Sequence, residues 1–216
     1  MTSSGTLIAF LIASLPLACF PGQSVAFIVA QSLSGGRRTG ILATLGVETG
    51  YLVHVAAAAI GVSAIVAASA TAFNVVRVLG ALWLAYLAVQ SWRHRRTGTL
   101  GDTVRAQKEQ EDQEPHTGPK KAYRSGLLVG SLNPKTALFY LAFLPQFVRP
   151  HQGPIWLQSM TLGICFILLA MVFDLSWSLI ASSLRNVLRK VKLIWIDRGA
   201  GTVYGALAAV LLSIRR

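Results

Sequence analysis

Two apolar stretches of this 216-residue chain are each interrupted by a proline, at Phe20-Pro21-Gly22-Gln23-Ser24 and at Leu132-Asn133-Pro134-Lys135-Thr136. Each stretch is otherwise apolar enough to cross a bilayer. A proline inside a membrane helix frees backbone N–H and C=O groups that lipid cannot satisfy. Such breaks survive only where protein or a wet cavity receives those groups. A matched pair of breaks, one in each half of a chain, is the sequence pattern of a transporter's substrate site.

The rest of the sequence fits a membrane setting. Hydrophobic residues make up 53% and charged residues 13%, too little polar surface to cover a soluble globule of this length. Apolar stretches cover residues 6–33, 40–68, 73–92, 125–148, 156–184 and 199–214. A crossing helix needs about 20 residues. Five stretches reach that length, and the last, at 16 residues, is short for a span. The expectation is an all-α membrane protein of six transmembrane helices, with five as the alternative count.

The formal charge of +12 is distributed by side rather than spread evenly. With six spans, fifteen of the twenty Lys and Arg residues fall on one side, in the loops around Arg37-Arg38, 93–124 and 185–198. Positive-inside bias makes that side cytoplasmic and places both termini outside. Loop placement therefore explains the charge, and no nucleic-acid partner is expected. The first apolar stretch has no Lys or Arg before Arg37 and runs on past Cys19. It reads as a retained span and not as a cleaved signal. Cys19 and Cys165 both fall in spans, where thiols pack as small apolar groups, so neither a disulfide framework nor a metal centre is expected.

Composition turns abruptly charged and polar over 93–124. This linker divides the chain into a first membrane half, 1–92, and a second, 125–216. Three spans is an odd number, so the halves enter the membrane in opposite senses. Two inverted three-helix repeats, each with a proline-broken first helix, are the expected architecture.

Ionisable groups within spans cost about 2.5–3.5 kcal/mol each on insertion scales and face the bundle interior or a cavity. The set here is Glu48, His54, Arg77, Lys135 and Asp174. In the second span, Gly46, Gly50, His54, Ala57 and Gly61 share a helical face of small residues suited to close packing. Thr44, Glu48 and Tyr51 form a polar stripe turned away from it. That spacing makes His54 a packed, hydrogen-bonded histidine and Glu48 a cavity residue. Asp174, Ser178 and Ser182 follow one line on the fifth span, where Asp174 either serves function or pairs with Arg77 or Lys135. Arg77, near a span end, suits a side chain that snorkels to the headgroups. Gly126-x-x-x-Gly130 and Gly201-x-x-x-Gly205 suit internal packing, with a homodimer contact as the other use.

Together these residues carry a resemblance. Pro21-Gly22, the Gly46-to-His54 segment, Arg77-x-x-Gly80-Ala81-x-x-Leu84-x-x-Leu87, and Asn133-Pro134-Lys135 followed by Phe143-Leu144-Pro145-Gln146-Phe147 resemble the LysE/RhtB family of amino-acid exporters. The likeness runs over essentially the whole chain. Many members carry a second proline after Pro-Gly, where this chain has Gln23. The resemblance implies a multi-pass protein of the bacterial inner membrane that moves amino acids or close derivatives outward in exchange for protons, with no cofactor.

The substrate site is then expected between the breaks, from Pro21, Gly22, Gln23, Ser24, Glu48, Asn133, Pro134, Lys135 and Asp174. Half-helix N-termini and Lys135 would receive a carboxylate. Glu48 or Asp174 would face the ammonium and carry the coupled proton. Export of an inorganic cation is the alternative, although hard ions want more oxygen ligands and soft ions more thiolates or imidazoles than the spans supply. An enzyme is not expected, since neither a nucleophile–base pair nor a His-Glu-x-x-His spacing occurs.

Overall fold

The computed structural model describes residues 3–19, 22–69 and 118–183, with isolated helical positions within 71–93 and 198–209. Every described element is helical. Helix α1 (Ser4–Cys19) precedes the first break and α2 (Gln23–Ala68) follows it. Helices α3 (Pro119–Ser131) and α4 (Pro134–Ala142) flank the second break. Short 3-10 turns at Leu144–Phe147 and Pro150–Gln152 lead into α5 (Ile155–Ser183). Both proline breaks therefore interrupt helices where the sequence places them. The expected third and sixth spans, Arg77 and the Gly201-x-x-x-Gly205 face lie outside the described residues or at isolated positions only.

Helix α2 is a hairpin. Gly36 leaves helical geometry with φ 76° and ψ −174°, a left-handed backbone open to glycine without strain. Arg37 and Arg38 follow it on the exposed turn. Contacts between the arms establish the fold-back. Tyr51 Oη donates to Ser24 Oγ at 2.9 Å, and a methyl group at Gly40 would collide with Ser32. Twenty-seven residues of straight helix would separate Ser24 and Tyr51 by about 40 Å. The first arm, 23–35, is too short to cross a bilayer alone. The second arm, 37–68, is long enough by itself. By length and apolarity, Gln23–Ile65 and Ile155–Ser183 qualify as crossing helices, and Pro119–Ser131 with Pro134–Phe147 makes a third candidate bent by 46°.

Helix α3 begins at Pro119, six residues before the sequence-based span start at 125, because a proline in the first turn gives up an N–H that has no helical partner there. It packs against the second arm of α2 through glycines on both helices. A Cβ at Gly46, Gly50, Gly126 or Gly130 would run into backbone of the facing helix. Carbon-level contact of this kind is how membrane helices associate where lipid removes the hydrophobic driving force. The face is shorter than its sequence repeat: Ala57 is exposed, and nothing stands within 4 Å of a Cβ at Gly61. Helix α3 has ended by Ser131 and the chain has bent, so among the described residues nothing packs on those two positions.

The main apolar core joins α1, α2, α4 and α5. Phe10, Phe139, Phe143 and Phe147 pack ring against ring, and Phe139 meets Phe166 with centroids 4.2 Å apart.

Replacing Gly130 or Gly46 by valine should lower the melting temperature of the detergent-solubilised protein by several degrees or abolish the monodisperse species, since overpacking costs about 1–3 kcal/mol even where side chains can shift and backbone cannot. Gly61→Ala is the matched control. It should be neutral or stabilising by roughly 0.5–1 kcal/mol, read as thermal stability followed by size-exclusion chromatography.

Candidate functional site

Each proline removes the N–H that would have paired with the carbonyl four residues earlier. For Pro21 that carbonyl is Leu17, and for Pro134 it is Gly130. Both carbonyls find a partner on the other side of the molecule. Lys135 Nζ faces Leu17 O at 3.5 Å, long for a hydrogen bond but close for a cation at the negative end of α1. His54 Nε2 lies 3.0 Å from Gly130 O, and since a carbonyl only accepts, Nε2 carries the proton. The His54 ring also stacks near Tyr140, with centroids 6.4 Å apart. His54 is thus the hydrogen-bonded packing residue that its helical face predicts.

The start of α4 is capped by its own sequence. Asn133 Oδ1 accepts from Lys135 N at 3.0 Å and Thr136 N at 3.4 Å, the usual service of an asparagine before a proline-initiated helix. Its amide nitrogen donates to Ser24 Oγ at 2.6 Å. Ser24 therefore receives hydrogen bonds from both Asn133 and Tyr51, and the two breaks meet at one buried hydroxyl. Because Asn133 occupies the first free N–H groups of α4, the charge left for an anion at this break is the Lys135 ammonium, and not the helix N-terminus itself.

A cavity of about 40 Å³ lies where the breaks meet, room for about one or two waters. Its polar wall includes Gly22, Ser24, Tyr51, Asn133, Lys135 and Asp174. Its apolar wall is made by α1, the first arm of α2, Phe139 and α5. Lys135 packs over Gly22, whose missing side chain leaves its space, and its charge lies near enough to Asp174 for direct attraction. A cation and an anion thus face one small cavity.

Glu48 is 2% exposed and does not line the cavity. It lies behind the cavity against Asp174. Among the described residues no hydroxyl, amide or cationic group donates to either Glu48 oxygen, and the Asp174 carboxyl lies within hydrogen-bonding reach when one of the two acids is protonated.

Of the residues expected from sequence, Gly22, Ser24, Asn133, Lys135 and Asp174 come together at the cavity, with Glu48 adjoining. Pro21 lies outside the described residues. Gln23 and Pro134 are exposed and do not reach the cavity. Tyr51 and Thr136 are cavity residues that the sequence-based set leaves out; the Thr44–Glu48–Tyr51 stripe is the signal that finds Tyr51. Ser178, one turn beyond Asp174, is spent on a 3.0 Å hydroxyl contact with Ser32.

Comparison with known proteins gives the family. The family described as LysE type translocator matches residues 15–214. The chain belongs to the LysE-type translocators. It is 28% identical to an uncharacterized membrane protein of Vibrio cholerae, over 84% of this chain and 83% of that one. It is 25% identical to the homoserine/homoserine lactone efflux protein of Salmonella typhimurium, over 96% of both chains. It is 29% identical to the uncharacterized membrane protein YrhP of Bacillus subtilis, over 79% and 80%. No solved structure matches the chain. Membership makes this LysE-type translocator a multi-pass protein of the bacterial inner membrane.

Two substitutions test the break chemistry in this translocator. Asn133→Ala should cost about 0.5–2 kcal/mol through loss of the cap, and Asn133→Asp, which keeps the acceptor but not the donor to Ser24, should recover part of it. His54→Ala should cost about 0.5–1.5 kcal/mol by removing the side-chain hydrogen bond to Gly130 O, which keeps its backbone bond from Asn133 N. Thermal unfolding in detergent reads both.

Proposed function

We propose that this LysE-type translocator is a secondary exporter of amino acids or close derivatives that works by proton antiport with alternating access. The carrying observation is the pairing of opposite charges at one cavity between two broken helices: Lys135 on one side and Asp174 on the other. A zwitterionic amino acid presents the complementary pair. Its carboxylate suits Lys135, its ammonium suits Asp174, and the hydroxyl and amide groups of Ser24, Tyr51 and Asn133 suit its remaining polar atoms. The efflux function in the name of the Salmonella relative supports the same cargo class.

Glu48 supplies the coupling in this reading. Among the described residues no donor group satisfies its oxygens, and it abuts the residue that holds the ammonium. Two carboxyl groups side by side repel when both are charged, and a single proton held between them relieves the repulsion. Arrival of a proton from outside weakens the hold of Asp174 on the ammonium and releases cargo outward. Loss of that proton to the cytoplasm restores the site. The motion that exposes the cavity to each side in turn is a rocking of the inverted halves 1–92 and 125–216 about the breaks, because the bonds through Ser24 and the Leu17 and Gly130 carbonyls join residues of both halves. No cofactor or nucleic acid takes part, and the partners are cargo, protons and the bilayer. The glycines of α3 are used internally, which leaves the last span as the candidate homodimer face.

Efflux of a labelled amino-acid panel from proteoliposomes, with and without an imposed pH gradient, tests the proposal. A subset of amino acids should leave faster with the gradient. Asp174→Asn should weaken cargo binding by about 30-fold or more, from the roughly 2–5 kcal/mol lost when one partner of a buried charge pair is removed. Glu48→Gln should retain cargo exchange at equilibrium and lose acceleration by the gradient. Proton-coupled export unchanged in both variants would sink the mechanism, and metal efflux without amino-acid efflux would replace it with cation export.

A further inference from the structure

The cavity is closed on two sides by different chemistry. Toward α1's beginning and the 3-10 turn at Leu144–Phe147 it meets the phenylalanines, with Phe139 and Phe166 forming part of its wall. Toward the Gly36 turn it meets small polar groups. Asp174 lines the cavity, and Ser178 lies one turn, roughly 6 Å, further along α5. There Ser178 Oγ contacts Ser32 Oγ of the first arm of α2 at 3.0 Å. Both residues are fully enclosed, at 0% and 2% exposure. Gly40, on the second arm, fills the third corner, where a methyl group would collide with both hydroxyls.

We infer that Ser32, Gly40 and Ser178 form the cytoplasmic gate of the transport pathway. The inference rests on the exporter reading, and on the charge rule that puts the Arg37-Arg38 turn inside. Three elements from both halves converge at these positions, between the cavity and that turn. At this level α5 meets the first arm of the hairpin through the Ser32–Ser178 hydroxyl contact and through Ala181 and Trp177 packed on Val25, Val29, Ala30 and Leu33, in place of the interlocked phenylalanine rings on the opposite side. Within this seal the Ser32–Ser178–Gly40 contact is the point that closes on small side chains and bare backbone, and a small displacement of the helices parts it. Gly40 sets the width of the seal, since only a residue without a side chain lets the two serines touch.

The test follows access to the cavity and needs no cargo. In the full chain with Cys19 and Cys165 replaced by alanine, Ala170→Cys places a reporter thiol in the cavity wall. Its labelling by a membrane-impermeant thiol reagent is measured in inverted and in right-side-out vesicles. Gly40→Ala should raise labelling from the cytoplasmic face about tenfold by wedging the serines apart. Ser178→Ala, which removes the hydroxyl contact without adding bulk, should raise it several-fold from the same face. Oxidative cross-linking of Ser32→Cys with Ser178→Cys should instead stop cargo efflux, with reductant restoring it. Unchanged cytoplasmic labelling in Ser178→Ala and Gly40→Ala, increased labelling from the outer face alone, or undiminished efflux through the cross-linked protein would each overturn the assignment. If wild-type vesicles export no amino acid while labelling still follows the gate variants, the exporter reading fails and the gate stands.

Discussion

A bilayer offers no hydrogen bonds, and the architecture at the centre of this protein follows from that. Two prolines remove the N–H groups that would have paired with the Leu17 and Gly130 carbonyls in continuous helices, and Gly130 keeps only the longer 3.3 Å bond from Asn133 N. The chain answers with a lysine from the second break and a histidine from the second arm of the α2 hairpin. Those answers fix geometry. Lys135 must reach across Gly22 to the end of α1, and His54 must lie against the end of α3. With them in place, Ser24 and Asn133 are brought within 2.6 Å of each other, and the cavity between the breaks follows from the fit.

Close approach of backbones makes that fit available. Gly46 and Gly50 on α2 oppose Gly126 and Gly130 on α3 at distances that leave no space for a Cβ. His54 could not reach Gly130 O if either helix carried larger residues at these positions. The glycine face and the break chemistry are one device. The first sets the separation of the helices, and the second spends that separation on a hydrogen bond. Gly22 plays the same part at the other break, where its bare backbone lets the lysine chain lie across it.

Much of this was legible in the residues. The breaks, the packing face beginning at Gly46, the polar stripe with Glu48, and the pairing of Lys135 with Asp174 as one of two options all follow from spacing and proline chemistry. The limits are equally physical. Gln23 and Pro134 enter the expected site only because they adjoin its members, yet neighbours on a helix diverge by about 100°, so a run of five cannot all face one cavity. The partner of each orphaned carbonyl depends on how separate helices dock. Counting four residues back from each proline identifies Leu17 and Gly130, but not who answers them. The phenylalanine cluster is assembled from α1, α4, the 3-10 turn and α5, and no single segment carries its pattern. The fold-back at Gly36 is visible as a change of span, while the Ser32–Ser178 contact below the cavity appears only once the arms are seated against α5.

The two buried acids separate structural from functional charge. A carboxylate kept for stability is expected to be paired and hydrogen-bonded, since burying it otherwise costs several kcal/mol. Asp174 meets part of that description, with Lys135 near it. Glu48 does not. It is enclosed, among the described residues no hydroxyl, amide or cation donates to its oxygens, and its neighbour is another acid. Glutamine at that position would offer a hydrogen to Asp174 at no charge, and leucine would cost less to bury. Stability alone therefore argues against a glutamate there. What a carboxyl group has that neither replacement has is a removable proton, placed directly beside the anion that faces the cavity. Under the proposed antiport, its burial is the cost of coupling that proton to the cargo in the cavity.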